Sequence, residues 1–269
     1  MLVKLLKYEF KATREIFLLA YGVLVVLTGM TAGLLAIRIP RSSSLSGVFG
    51  VASVLVTMFY VLVVGALSLL PLVIIAVRFY RLLGDEGYLW FTLPAAPAQH
   101  ILGKLIPGVV WTAATALVTS ASVMLVTIRT GWYAQLGDVW HQLLSQGFNP
   151  GAWLALLLIM IVISLLLEIL ALYASMAIGP NLIKNHRLGG SVLAWVIIYC
   201  ANQVISVISL IIIALILKDF PNNAANVDAS MVNHAAFVFC GIIGIESLAI
   251  AVACYFLTHY FISHKLNLA

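Results

Sequence analysis

Residues 151–179 read GAWLALLLIMIVISLLLEILALYASMAIG, an apolar run with one charged side chain, Glu168. A helix that crosses a bilayer needs about 20 predominantly apolar residues. Hydrocarbon offers the backbone no hydrogen-bond partner, so such a run must bond to itself as a helix. Five more windows have the same form. Residues 16–37, 42–77, 105–128 and 188–217 contain no charged side chain, and 229–258 contains only Glu246. Each window holds one helix, and none is long enough for two helices and a turn. The expected fold is all-α: a single polytopic membrane domain, 1–269, with six spans near 16–37, 53–77, 105–128, 152–178, 191–217 and 235–258.

Composition agrees. The chain is 64% apolar and 9% charged, against about 45–50% and about 25% for a soluble domain. That balance excludes an ordinary soluble enzyme, a disordered chain and a disulfide scaffold. A β-barrel would show short alternating segments rather than long apolar runs. Pro150-Gly151 should open the fourth span and Gly179-Pro180 should stop it. Pro107 should sit near the start of the third span, and Pro71 should kink the second.

Lys and Arg orient the spans. Ten of the fourteen cations fall on one side: Lys4, Lys7, Lys11, Arg14, Arg78, Arg81, Lys104, Lys184, Arg187 and Lys265. Arg38, Arg41, Arg129 and Lys218 fall on the other. Both termini should therefore be cytoplasmic, in a multi-pass protein of the cell (inner, cytoplasmic) membrane. The net charge of +5 is then a topology signal. Nucleic acid is not an expected partner, because no basic patch carries interleaved aromatics.

Residues 1–15 do not have the form of a cleavable signal peptide. Their cations recur at helical spacing opposite Val3, Leu6, Phe10 and Phe17, which suits an amphipathic helix on the inner leaflet or a plain basic anchor. In the outer loop 129–149, Trp132, Leu136, Val139, Trp140, Leu143 and Leu144 also follow helical spacing. That segment is expected as an interfacial helix, either a passive anchor or a lid over an exit path.

Enzyme chemistry has no foothold in the sequence. No GxxxxGK[ST] loop, GxSxG elbow, HExxH pair or EF-hand spacing occurs. The three cysteines, Cys200, Cys240 and Cys254, form no CxxC pair and fall inside predicted spans. No catalytic residue, metal site or bound cofactor is expected.

The sharpest residues inside the spans are Glu168 and Glu246. A charge near the bilayer centre costs about 2.5–3.5 kcal/mol on insertion scales. Each acid must therefore be neutral, paired or facing a wet cavity. Asn202, Gln203, Ser206 and Ser209 on the fifth span are candidate partners. The two acids are either a proton- or substrate-sensing site or interhelical hydrogen-bond links.

Outside the bilayer the densest stretch is the cytoplasmic loop 78–104, RFYRLLGDEGYLWFTLPAAPAQHILGK. Gly84, Asp85, Glu86 and Gly87 form an abrupt polar turn, followed by an apolar aromatic patch and the step Leu93-Pro94. Lys104 can snorkel to the headgroups. Such a cluster reads either as a docking surface or as a loop folded onto the interface.

This stretch, the opening MLVKLLKYEFKATR and the six-span topology resemble the membrane-spanning permeases of type-2 ABC exporters, the small bacterial kind. The resemblance implies a permease half that pairs with a second permease, as a homodimer or with a paralogue. It also implies two separate ATPase subunits docked beneath. Gly84, Asp85, Glu86, Gly87 and Tyr88 would then touch the ATPase, and Leu93 and Pro94 would shape the chain's return. The partner chain, not this one, would use ATP and magnesium. Two other classes stay open: an ion-coupled secondary transporter using Glu168 and Glu246, and a non-transporting membrane scaffold or sensor.

Overall fold

A computed structural model describes residues 2–37, 46–82, 97–128, 132–145, 149–183, 186–218 and 229–264. All the regular structure among them is helical: α1 (Leu2–Ala36), α2 (Ser46–Leu82), α3 (Pro97–Thr127), α4 (Trp132–Ser145), α5 (Pro150–Leu182), α6 (Arg187–Ile216) and α7 (Ala229–His264). Six of the seven, all but α4, are long and apolar enough to cross a membrane. The helix expected between the third and fourth spans is present as α4.

The helices outrun the predicted spans. At about 1.5 Å per residue, the 35 residues of α1 extend about 52 Å, against a hydrocarbon core of about 30 Å. Charged residues mark where hydrocarbon stops, not where helical hydrogen bonding stops. Thus α3 begins at Pro97, a residue whose missing N–H is harmless at the first helical position, and Pro107 lies buried well inside the helix. Gly179-Pro180 does not end α5. The helix continues to Leu182, and the Ile183 N–H donates to the Gly179 carbonyl at 3.2 Å. Pro71 lies inside a continuous α2.

The chain forms two compact units, Met1–Ile75 with Leu102–Leu136, and Ala76–Ile101 with Gly137–Ala269. In the first, α1 and α3 are linked along their length by side-chain pairs. Glu9 meets Lys104, Thr13 meets Trp111, Tyr21 meets Thr115 and Thr28 meets Ser122. The sequence offset between partners stays between 94 and 98. A constant offset means parallel helices, as a first and a third crossing should be. Phe17 stacks on Trp111 with ring centroids 4.4 Å apart. Leu24, Tyr60 and Leu67 form the apolar centre of this unit.

In the second unit α5, α6 and α7 pack together. Asn149 caps α5, its side-chain oxygen accepting from the Ala152 N–H at 3.3 Å, with Pro150 at the first helical position. Phe79, from the last turns of α2, stacks on Tyr173 of α5 at 3.9 Å, and both are fully buried. The Trp153 Nε1–H donates to the Asn233 side chain at 2.8 Å, and Gly244 lies against Met160. These two contacts advance together along α5 and α7, so those helices are also parallel.

The closest approach is between α5 and α6. A Cβ on Gly179 would overlap the backbone of Ser191, and one on Gly190 would overlap the Gly179 carbonyl. Only glycine fits there. Gly190→Ala should push the two helices apart and cost about 1–3 kcal/mol, the usual penalty for overpacking. Gly22→Ala, at a position with open space around it, should not. Thermal unfolding in detergent followed by circular dichroism checks this: a lower midpoint is expected for Gly190→Ala alone.

Candidate functional site

Two groups of polar residues lie within the long helices. The first is the α1–α3 ladder. The Lys104 Nζ is 2.9 Å from the Glu9 Oε1, with side chains only 9% and 5% exposed. One step further along, the Trp111 Nε1–H donates to the Thr13 Oγ1 at 2.8 Å, and Thr13 in turn donates to the Glu9 carbonyl at 2.9 Å. Beyond Tyr21 and Thr115, the Ser122 hydroxyl lies 2.6 Å from Thr28 and 2.7 Å from the Tyr60 hydroxyl. Thr28 and Thr115 also donate to carbonyls four residues back. That local bond satisfies the hydroxyl proton and leaves the oxygen's lone pairs for the neighbouring helix.

The position of Lys104 in the sequence suits snorkelling to the headgroups. Its side chain is instead held between helices by Glu9, at the start of α3 where the 78–104 segment comes to its end. Gly103 beside it lies against Leu5. The basic segment 2–15 and the following span form one unbroken helix. Val3, on the expected apolar stripe, is 78% exposed, whereas Glu9, Thr13 and Phe17 are buried. The face turned inward joins Phe10 and Phe17 of the apolar stripe, both against Trp111, to Glu9 and Thr13, which meet the ammonium and the indole N–H that α3 offers. The i, i+4 spacing of Glu9 and Thr13 is visible in the sequence. Their partners, 95 and 98 positions further along the chain, are not.

The second group lies at mid-height in the second unit. Glu168, Gln203 and Glu246 stand near the midpoints of α5, α6 and α7 respectively. The Ser206 hydroxyl donates to the Glu246 Oε1 at 2.7 Å, a pairing among those expected from the sequence. The Glu246 Oε2 is buried without a hydrogen-bond partner among the described residues. Asn202 is half-buried, and Ser209 is buried. Glu168 is exposed, and among the described residues no hydrogen bond joins it to Glu246, Asn202 or Gln203. The two acids thus share a level without forming one site.

No group of three or more His, Cys, Asp or Glu able to hold a metal ion occurs among the described residues. Near the start of α5, Trp140 of α4 joins Pro150, Trp153, Leu157 and Met160 around an apolar cavity of about 540 Å³. The residues tied by resemblance to an ATPase contact, Gly84, Asp85, Glu86, Gly87, Tyr88, Leu93 and Pro94, lie outside the described residues. Comparison of the chain with protein-family models, with curated proteins and with solved structures finds no match.

Removing one partner of a buried ion pair strands the other charge, at a cost of about 3–5 kcal/mol. Glu9→Gln should therefore destabilise the protein more than the double variant Glu9→Gln with Lys104→Gln. A double-mutant cycle on thermal unfolding in detergent measures this. A loss in the double variant equal to the sum of the losses in Glu9→Gln and Lys104→Gln alone would mean that the pair carries no coupling.

Proposed function

We propose that this chain is the membrane-spanning permease subunit of an ATP-driven ABC exporter. In this reading it pairs with a second permease and takes its energy from two separate ATPase subunits through the 78–104 segment. The observation that carries the reading is the conjunction of six long apolar helices with one specific motif between the second and third spans, GDEGY at 84–88 followed by Leu93-Pro94. A phosphate-binding loop is absent from the sequence, so nucleotide binding by that route belongs to a partner.

The ladder suits such a role. A force applied at the loop reaches α3 at its first turns. There Lys104 and Gly103 are packed against α1, so α1 and α3 would move as one body. A buried ion pair gives that junction a fixed register, which a purely apolar seam would leave free to slide.

One observation favours a second reading, ion coupling. The Glu246 Oε2, buried without a hydrogen-bond partner among the described residues, is a place for a proton or a polar ligand within the membrane. Purification from the native membrane in mild detergent separates the readings. A stoichiometric ATPase carrying a phosphate-binding loop is expected to accompany the chain. Charge reversal by Asp85→Lys with Glu86→Lys is then expected to abolish substrate-stimulated ATP hydrolysis while membrane insertion persists. Unchanged stimulation would remove the coupling assignment, and purification with no partner would favour ion coupling.

A further inference from the structure

The seam between α1 and α3 is closed by the polar ladder, but on one side it opens into a groove of about 460 Å³. Small residues make the space. Gly29 and Ala32 on α1 and Ala121 on α3 carry too little side chain to fill it, and a Cβ on Gly29 would meet nothing within 4 Å. Val25 and Leu125 flank the groove and are exposed. The lining residues all fall within the apolar windows 16–37 and 105–128, so the groove lies at membrane depth. None of them is charged, and only Thr28 and Ser122 have polar side chains.

The hydrogen bonds of those two hydroxyls run in one direction only. A hydroxyl has one proton to give and two lone pairs to receive with. Thr28 gives its proton to the Leu24 carbonyl at 2.6 Å, because a carbonyl only accepts. The 2.6 Å contact between Thr28 and Ser122 must then use the Ser122 proton. The 2.7 Å contact between Ser122 and Tyr60 must in turn use the Tyr60 proton. The chain therefore runs from Tyr60 to Ser122 to Thr28 to the Leu24 carbonyl, and all three protons are committed. Thr28 and Ser122 each keep one free lone pair. The polar spot in the groove accepts hydrogen bonds and cannot donate one.

We propose that this groove binds a neutral alcohol dissolved in the bilayer, its hydroxyl donating to Ser122 or Thr28 and its apolar body lying against Val25, Val118 and Leu125. The occupant must bring a donor, because a plain acyl chain leaves both lone pairs unmet and an ether or ester sets one acceptor against another. It must be neutral, because no acid lines the groove to balance a cation at membrane depth. It must also carry an apolar body. A water takes only about 30 Å³ and needs two to four polar partners, whereas the walls here are otherwise apolar. The smallest neutral group that meets these conditions is a hydroxyl on a hydrocarbon chain. The inference needs neither an ATPase nor transport, so its failure and the failure of the coupling assignment are read separately.

The test uses the full chain in phosphatidylcholine vesicles and two probes. One is a long-chain primary alcohol with a diazirine beside its hydroxyl, and the other is the methyl ether of the same molecule. After photolysis, mass spectrometry of peptides locates the label. The alcohol is expected to label α1 and α3 at the groove, and an excess of long-chain alcohol without the diazirine is expected to suppress that label. The ether is expected to label about threefold less, the effect of one hydrogen bond of ordinary membrane strength. Gly29→Phe puts a ring into the open space of the groove and is expected to abolish the label. Gly22→Phe, two turns away on the same side of α1 with open space around it and outside the groove, is expected to leave it unchanged. The comparison of alcohol with ether needs no variant, so it decides the matter even if Gly29→Phe does not fold. Equal labelling by the two probes would make the groove a seat for any acyl chain and overturn the proposal. So would label that persists in a folded Gly29→Phe chain, or label that never appears at the groove.

Discussion

Hydrocarbon accepts no unpaired polar group, and this protein is arranged around that constraint. It forces the backbone into helices, and it then governs nearly every polar side chain on them. Thr13, Thr28, Thr31 and Thr258 donate to carbonyls four residues back. Thr13, Thr28 and Thr115 also meet a side chain on a neighbouring helix. Lys104 and Glu9 satisfy each other. Burial of such groups is possible only because each finds a partner, and the partners fix which helix faces meet.

Packing follows from the same solvent. Lipid tails are as apolar as leucine, so burying leucine between helices gains little. Association rests on close backbone approach, ring stacking and interhelical hydrogen bonds. The two units draw on these differently. In the first, a polar ladder and the Phe17–Trp111 stack hold α1 beside α3. In the second, Gly179 and Gly190 let α5 and α6 touch, while Phe79 and Tyr173 stack where α2 ends.

The six long helices are legible in the sequence because their signal is local: each window runs for more residues than a crossing needs with at most one charged side chain. Helix ends are less legible. Helical bonding continues past the last apolar residue, as α3 beginning at Pro97 and α5 passing through Pro180 both demonstrate. The Ser206–Glu246 bond lies within the expected set, because an acid in a span demands a donor at its own depth and the fifth span carries several. The Glu9–Lys104 pair escapes a reading of the sequence. Both residues look like ordinary cytoplasmic-side charges, and only the register of α1 against α3 brings them together. The exposure of Glu168 is equally hidden, since one sequence does not distinguish the packed side of a helix from the side turned to lipid.

The functional account requires the 78–104 segment to lie in the cytoplasm, where an ATPase can reach it. Single-cysteine labelling of intact cells with a membrane-impermeant maleimide tests that requirement most directly, using chains in which Cys200, Cys240 and Cys254 are replaced by Ala. Cysteines placed at Ser44 and Asn223 are expected to label from outside. A cysteine at Asp85 or Asn267 is expected to label only after the membrane is permeabilised. Labelling of Asp85→Cys in intact cells would put the segment on the wrong face of the membrane and contradict the account.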